Sequence, residues 1–287
     1  MTTGIAGASH EKQLSAIWKT CFNADDGFMK IFIDKCLPAS VTYIVEEKGE
    51  IISSSTVMPL KYIGAGAHTM NGGYLYGVCT MPEYRGRRLA ARLMEFAEND
   101  SMERGMEFMV TRPASASLFK YYENLGYSQY LYRQNITIPL FAESRSRVLL
   151  RPLTPERIAQ LRKRNLDCGY TEWDREIYGF FLEYIKYCKG IAAETQNGGY
   201  IIGTPDDDDN SMFNILECGY DNFNGLSLPD ICSTVLSICP EARHARIFSP
   251  AIKGQTKTGK ASREKFALLK PLSNNCPHSL FFNFSME

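Results

Sequence analysis

The spacing of apolar residues changes several times along the first half of the chain. Apolar residues recur every three or four positions over residues 11–21 and 25–36, which predicts two helices. Runs rich in β-branched and aromatic residues then predict three strands, at Val41 to Glu46, Ile51 to Leu60 and Tyr74 to Cys79. Turn signals that contain glycine separate these runs, so we expect the sheet to begin with antiparallel strands.

A basic turn separates the third strand from a third helix. The turn is the sequence Arg85-Gly86-Arg87-Arg88, and apolar residues from Leu89 onward recur with helical spacing. Glycine at position 105 is expected to end this helix in the left-handed conformation. Phe108 to Thr111 then predicts a strand that is reached by a helical crossover, and such strands are parallel neighbours.

The three arginines of this turn lie at the N-terminus of the predicted helix. Cations at the positive end of a helix dipole cost a few tenths of a kcal/mol each unless an anion binds there. The free amides of the first helical turn are donors for such an anion, and Gly86 allows its close approach to the backbone. The turn therefore predicts a site for an anionic ligand such as a pyrophosphate.

The second half of the chain repeats this order of elements more weakly. Helices are predicted at 155–166, 172–188 and 228–239, and strands at 148–151, 191–194, 200–204, 212–218 and 245–249. The turn that follows Cys218 contains no arginine, so it cannot neutralise a pyrophosphate as the first turn can. Residues 278–287 alternate apolar and polar positions, which predicts a docked strand at the end of the chain.

Composition and charge exclude several classes of protein. Lysine plus arginine and aspartate plus glutamate number 32 each, so no global field attracts nucleic acid or a membrane surface. The nine cysteines form no Cys-x-x-Cys pair and the four histidines are scattered, which argues against a zinc site and a disulfide framework. No apolar stretch reaches the ~18 residues that span a bilayer, and no signal peptide is evident. We expect a cytoplasmic protein without a metal.

Two motifs in register resemble the acetyl-CoA-dependent N-acetyltransferases of the GNAT superfamily. The Arg/Gln-x-x-Gly-x-Gly/Ala loop of that family resembles the basic turn and the first helical residues, which are Arg85, Gly86, Arg87, Arg88, Leu89 and Ala90. Arg88 replaces the usual glycine of the loop. The family's Phe/Leu-Tyr-x-x-x-Gly-Phe/Tyr motif resembles Tyr121 to Tyr127 downstream. The resemblance implies acetyl-CoA as co-substrate, with its pantetheine arm bonded to the backbone of Val78, Cys79 and Thr80.

The tandem order of elements resembles the group that includes the enhanced-intracellular-survival acetyltransferases, which are longer. The resemblance implies a mixed α/β fold. Residues 1–145 are expected to form a GNAT domain with a mixed sheet, and residues 146–287 a degenerate GNAT-like domain that ends in a strand. In that group a motif tyrosine protonates the departing thiolate, and the terminal carboxylate enters the active site. Tyr122 and Glu287 are therefore the catalytic candidates.

The spacing of residues gives Tyr122 independent support. It lies four residues after Leu118 and three before Leu125, so we expect it to share their inward face of a helix. An ordinary tyrosine pKa of ~10 suits proton donation to a thiolate whose conjugate acid has a pKa of about 8.5. The alternative is that Tyr122 is a core aromatic residue whose hydroxyl is hydrogen-bonded.

The general base, the acceptor and the activity itself stay open at this point. The base is the carboxylate of Glu287, a glutamate such as Glu46 or Glu47, or a water relay. The acceptor is a small-molecule or peptide amine, and self-association of the chain is left open. Arg88 either contacts phosphate or crowds the turn, which keeps a non-catalytic acyl-CoA-binding or sensing protein as the alternative. The neutral net charge disfavours a nucleic-acid site at the basic turn.

Overall fold

The computed structural model describes residues 1–64, 68–141, 149–166, 168–195, 198–219, 228–250, 261–274, 277 and 280–282. The N-terminal half contains β1 (Thr2–Ile5), α1 (Glu11–Phe22), α2 (Asp26–Ile31), β2 (Val41–Glu47), β3 (Glu50–Ile63), β4 (Thr69–Thr80), α3 (Leu89–Glu103), β5 (Phe108–Thr111), α4 (Ala116–Glu123) and β6 (Gln129–Pro139). The C-terminal half contains β7 (Leu150–Pro152), α5 (Pro155–Asn165), β8 (Tyr170–Trp173), α6 (Arg175–Tyr187), β9 (Ile191–Thr195), β10 (Tyr200–Pro205), β11 (Met212–Gly219), α7 (Leu228–Ile238), β12 (His244–Pro250) and β13 (Ala261–Pro271). The predicted mixed α/β fold is confirmed.

The strands of both halves join in one continuous sheet. Their order is β1-β2-β3-β4-β5-β13-β6-β12-β11-β10-β9-β7, and β8 pairs with β3. The late strand β13 lies between β5 and β6 and is antiparallel to both. Each half therefore contributes strands to the other. The predicted boundary between residues 145 and 146 lies outside the described residues, and the division into two domains stays a prediction.

Each half contains one parallel pair of strands that is connected through a helix. β4 and β5 pair from Gly72 with Phe108 to Leu75 with Thr111, as predicted, and α3 connects them. β11 and β12 pair over four residues in the same way, and α7 lies between them in the chain. Beyond these pairs, β4 continues to Thr80 and β11 to Gly219 without a described partner on that edge. Both parallel pairs therefore separate at one end.

The helices cover the two faces of the sheet unevenly. Residues of α1, α2, α5 and α6 share one large apolar cluster, so helices from both halves cover the same face. Residues of α3 and α4 form a second cluster around Leu93 and Tyr127, and α7 packs in a third cluster around Phe213. The shared cluster stabilises the two halves together, because removing either half would expose apolar area of the other.

One predicted helix start is wrong. The helix predicted at 172–188 was expected to begin before Asp174, but Tyr170–Trp173 is strand β8, and α6 begins at Arg175. Asp174 is its N-cap residue and has extended backbone angles, φ −68° and ψ 161°. The strand forms because its residues pair with β3, from Leu60 opposite Trp173 to Ile63 opposite Tyr170. That partner lies about a hundred residues away, so local spacing does not indicate it.

The described part of the C-terminal tail docks beside β8. The Phe281 N–H donates to the carbonyl oxygen of Gly169 at 2.7 Å, and the Thr171 N–H donates to the Phe281 carbonyl at 3.1 Å. Phe282 is 2% exposed, and its ring centroid lies 5.1 Å from that of Tyr74 on β4. The tail therefore contacts β4, the strand that separates from β5 after Leu75.

Candidate active site

The basic turn is exposed and stands directly before α3. Arg88 is the N-cap residue of this 15-residue helix, and it makes no capping hydrogen bond through its side chain. The first turn of α3 contains no acidic residue, and Arg85, Arg87 and Arg88 are all exposed. Uncapped amides and three cations therefore lie at the positive end of the helix. This is the arrangement that the sequence predicts for binding an anion.

Arg88 adopts the backbone conformation that a glycine would favour. Its φ is 57° and its ψ is 24°, in the left-handed region, and Gly86 has a φ of 80°. A residue with a side chain pays roughly 1–2 kcal/mol for that conformation. The glycine of the family loop thus marks a real requirement of the turn, and this chain meets it with a strained arginine.

Two other arginines of the turn are held by neighbouring groups. Arg85 donates from Nε to the carbonyl oxygen of Thr80 at 3.2 Å. The guanidinium carbon of Arg87 lies 5.0 Å from the ring centroid of Tyr84, a cation–π contact. The end of β4 and the turn therefore form one connected unit.

A groove of about 620 Å³ runs between α3, from Arg88 to Met102, and the segments at Leu125 and 270–272. Near its far end Lys270 donates to Glu98 at 2.6 Å and to the carbonyl of Leu125 at 2.8 Å. At the near end, Arg88 and Arg92 both line the groove. The basic turn consequently opens into an elongated space whose near end is positively charged.

Tyr122 reaches the sheet where β4 and β5 separate. Thr111, the last residue of β5, donates from Oγ1 to the carbonyl of Leu75 at 3.2 Å. The hydroxyl of Tyr122 is hydrogen-bonded to the side chain of Thr111. Leu75 and Thr111 form the last pair of the two strands. The phenol therefore lies at the base of the gap between them.

Burial raises the pKa of Tyr122 to about 12. The phenol is therefore protonated at neutral pH and available as a proton donor. The expectation that Leu118 shares its inward face is wrong, since Leu118 is 38% exposed. Helix α4 is short, and Tyr122 is its only buried residue.

Val78, Cys79 and Thr80 form the part of β4 that leaves β5. Gly77, just before them, has a φ of 62°, and the pairing with β3 shifts register here. A Cβ at Gly77 would lie 2.3 Å from the Trp18 ring, so α1 requires the glycine. Val78 packs with the apolar cluster that contains Tyr122, whereas Cys79 belongs to the cluster on the α1 face.

Most of the candidate residues lie between the start of α3 and the gap that separates β4 from β5. They are Arg85 to Ala90, Val78 to Thr80 and Tyr122. Glu46 on β2 contacts His10, with 3.6 Å between Oε1 and Nε2. Glu287 lies outside the described residues.

A buried charged network in the second half was missed by the sequence reasoning. Arg162 on α5 is fully buried and donates from Nε to Glu217 Oε1 at 2.8 Å. The Tyr200 hydroxyl donates to the same oxygen at 2.6 Å, and Arg162 also donates to the Tyr178 hydroxyl at 2.8 Å. Burial acts against it, but Glu217 holds the pKa of Arg162 above its ordinary value. The sequence signal that could have indicated this network is Glu217, a charged residue inside the apolar run of β11.

This network occupies the region where the second parallel pair separates. Ile215 is the last residue of β11 that pairs with β12, and the pairing with β10 shifts register between Ile215 and Glu217. The same combination of separation and register shift occurs in β4. The second half therefore repeats the strand geometry of the first and carries the buried pair of Arg162 and Glu217 beside the separation.

Within the described residues, no three histidine, cysteine, aspartate or glutamate side chains come together as a metal site. In the same part of the chain, no helix combines the length and apolar character needed to cross a bilayer.

Comparison with known proteins gives a family match for the N-terminal part of the chain and a fold for both halves. Residues 5–130 match the family described as Acetyltransferase (GNAT) domain. No curated protein matches the chain in sequence. Both motifs and the gap at Tyr122 lie within the matched segment.

Solved structures extend the likeness to both halves. A conserved protein of unknown function from Enterococcus faecalis, described as a probable N-acyltransferase, has a TM-score of 0.73 at 14% identity, over 94% of this chain and 72% of that one. Eis1 from Mycobacterium abscessus has a TM-score of 0.63 at 12% identity, over 95% and 74%. A tandem GNAT protein from the clavulanic acid biosynthesis pathway has a TM-score of 0.55 at 10% identity, over 96% and 99%. At these identities the structures show a shared fold.

Proposed function

We propose that this chain transfers an acetyl group from acetyl-CoA to an amine by direct attack in a ternary complex, because residues 5–130 match the GNAT acetyltransferase domain. The observation that carries the proposal is the position of Tyr122 at the gap between β4 and β5. A buried, protonated phenol lies there, and the basic turn at the start of α3 is the proposed site for the pyrophosphate of the same ligand.

The residues present fit acetyl-CoA. The arginines of the basic turn and the amides of the first turn of α3 would hold the pyrophosphate. The backbone of Val78, Cys79 and Thr80 would hold the pantetheine arm, since that stretch of β4 has no described strand partner on the β5 side. The groove beside Arg88 and Arg92 would accept the nucleotide end. Acetyl-CoA supplies the thioester.

Tyr122 supplies the proton that acetyl transfer requires. When a neutral amine attacks the thioester carbonyl, the sulfur leaves as a thiolate unless an acid protonates it. The pKa of Tyr122, near 12, keeps the proton on the phenol until the thiolate develops. Over roughly pH 8 to pH 10, the range in which ordinary tyrosines begin to ionise, we expect no loss of turnover from Tyr122.

Glu287 is proposed as the residue that accepts the proton of the amine. Phe282 lies beside Tyr74, one residue before the last paired residue of β4. Five extended residues span at most about 17 Å, which lets the terminal carboxylates reach the gap from Phe282. The acceptor in this proposal is a small-molecule or peptide amine.

The test is thiol release from acetyl-CoA with a panel of amines, comparing wild type, Tyr122→Phe and Tyr127→Phe. Tyr127→Phe removes a second buried hydroxyl from the same apolar cluster and is the matched control. We expect Tyr122→Phe to lower kcat roughly a hundredfold or more with little change in the Kd of CoA. Equal turnover in both variants would remove Tyr122 from the mechanism. Saturable CoA binding without thiol release for any amine would instead favour a non-catalytic acyl-CoA-binding protein.

A further inference from the structure

Two cysteines lie at the end of β4 beside the basic turn, although the proposed transfer uses neither thiol. Cys21 lies in the last turn of α1 and is partly exposed, whereas Cys79 on β4 is buried. The Cys21 sulfur lies 3.6 Å from the carbonyl oxygen of Thr80. Arg85 donates to that same oxygen at 3.2 Å. One carbonyl therefore connects the cysteine to the anion-binding turn.

We propose that Cys21 is a site of oxidation by peroxide, that Cys79 resolves it as a disulfide, and that this disulfide weakens binding of acyl-CoA. The effect on binding rests on the function proposed above. The pairing of the two thiols does not depend on that function, because it rests on the contact of Cys21 with the residue that follows Cys79 and on the hydrogen bond between the two side chains.

The surroundings of the two thiols differ in a way that assigns their roles. Hydrogen bonding with Cys79 lowers the pKa of Cys21 to about 7; Arg85 acts in the same direction, while burial and the charge of Glu83 oppose it. The interaction with Cys21 and burial together hold the pKa of Cys79 well above its ordinary value. Cys21 is therefore the nucleophilic thiolate near neutral pH, and Cys79 keeps its proton.

The reaction consumes one peroxide for each disulfide. The Cys21 thiolate attacks one oxygen of hydrogen peroxide, the O–O bond breaks, and hydroxide leaves as a sulfenic acid forms on Cys21. The hydroxide takes the proton that Cys21 lost and becomes water. Cys79 then attacks the sulfenic sulfur, the S–O bond breaks, and the leaving hydroxide takes the Cys79 proton as a second water. Two thiols are oxidised and one peroxide is reduced.

The disulfide would act on the cofactor site through Thr80. Its formation moves the Cys21 sulfur from the Thr80 carbonyl to Cys79 and ties α1 to the strand that carries the pantetheine residues. Conversely, a pyrophosphate on Arg85 would cancel part of the charge that favours the Cys21 thiolate. At equilibrium, bound CoA is expected to disfavour the disulfide by the same factor by which the disulfide weakens CoA binding.

The first experiment maps the disulfide. Reduced protein is treated with one equivalent of hydrogen peroxide at neutral pH and digested without reduction for mass spectrometry. Cys188 is the internal control, since it is partly exposed like Cys21 but burial raises its pKa. We expect a Cys21–Cys79 peptide, alkylation of Cys21 by iodoacetamide at least tenfold faster than of Cys188, and no such disulfide in Cys21→Ser. Disulfides between other cysteines, or sulfinic acid at Cys21 without a disulfide, would overturn the pairing.

The second experiment measures CoA binding by calorimetry before oxidation, after it, and after re-reduction with dithiothreitol. We expect at least tenfold weaker binding after oxidation, full recovery on reduction, and peroxide-insensitive binding in Cys21→Ser. Equal affinity of oxidised and reduced protein would overturn the effect on the cofactor site. Absence of binding by the reduced protein would overturn the proposed function and that effect together, while the mapping would still decide the pairing.

Discussion

Arg88→Gly is expected to stabilise the protein and to weaken CoA binding in the same variant. Arg88 adopts a left-handed backbone conformation, with φ 57°, that costs a residue with a side chain roughly 1–2 kcal/mol. Glycine avoids this strain but gains about 0.5–1 kcal/mol of freedom in the unfolded chain. The free energy of unfolding is therefore expected to rise by about 0.5–1 kcal/mol.

The effect on binding has the opposite sign because the guanidinium is lost. Arg88 is exposed at the start of α3 and lines the groove beside Arg92. One exposed, charge-assisted contact with phosphate contributes about 1 kcal/mol. Its removal is expected to raise the Kd of CoA roughly fivefold.

Urea unfolding and calorimetric titration with CoA measure the two effects in parallel. Arg88→Asn is the matched control, since asparagine tolerates the left-handed region and carries no charge. We expect it to lose as much affinity as Arg88→Gly with a smaller gain in stability. Tighter CoA binding by Arg88→Gly would show that the arginine obstructs the turn, and a less stable Arg88→Gly would refute the strain.

Three further variants test other parts of the site and fold. Arg85→Ala is expected to raise the Kd of CoA by a few-fold while leaving that of pantetheine unchanged in calorimetry, and equal losses for both ligands would contradict the pyrophosphate assignment. Removal of Met286 and Glu287 is expected to depress kcat without lowering Tm; a lower Tm with full specific activity would assign the tail to packing. Arg162→Met is expected to lower stability by about 3–5 kcal/mol in urea, because it leaves Glu217 buried without its partner, and unchanged stability would argue against that network. Its Kd for CoA is expected to match wild type.

Local sequence predicts the first half of the site well. The proposed anion site depends on three arginines and one helix start that are contiguous in the chain, so spacing and helix electrostatics indicate it directly. The parallel pair of β4 and β5 follows from one crossover helix. The family motif added Tyr122, and the structure supplies the hydrogen bond with Thr111 that places its hydroxyl at the gap.

The pairing of strands that are far apart in the chain could not be predicted from the sequence. β13 begins with charged and small residues and lies between β5 and β6 only because both strands are brought there by the rest of the fold. β1 and β6 were also missed, and β8 was mistaken for a helix start. In each case pairing with the partner strand determines the conformation. When that partner is far along the chain, the segment itself shows no alternation of apolar and polar residues that would indicate a strand. The buried pair of Arg162 and Glu217 has the same origin, since its residues come together only through α5 and β11.

The most direct test of the central claim is calorimetric titration of the reduced protein with acetyl-CoA and, in parallel, with free CoA. The arginine turn, the open edge of β4 and the position of Tyr122 predict saturable binding of both ligands, one per chain. Absence of binding for both at millimolar concentration would contradict the cofactor site and leave the chain as a GNAT fold without its chemistry.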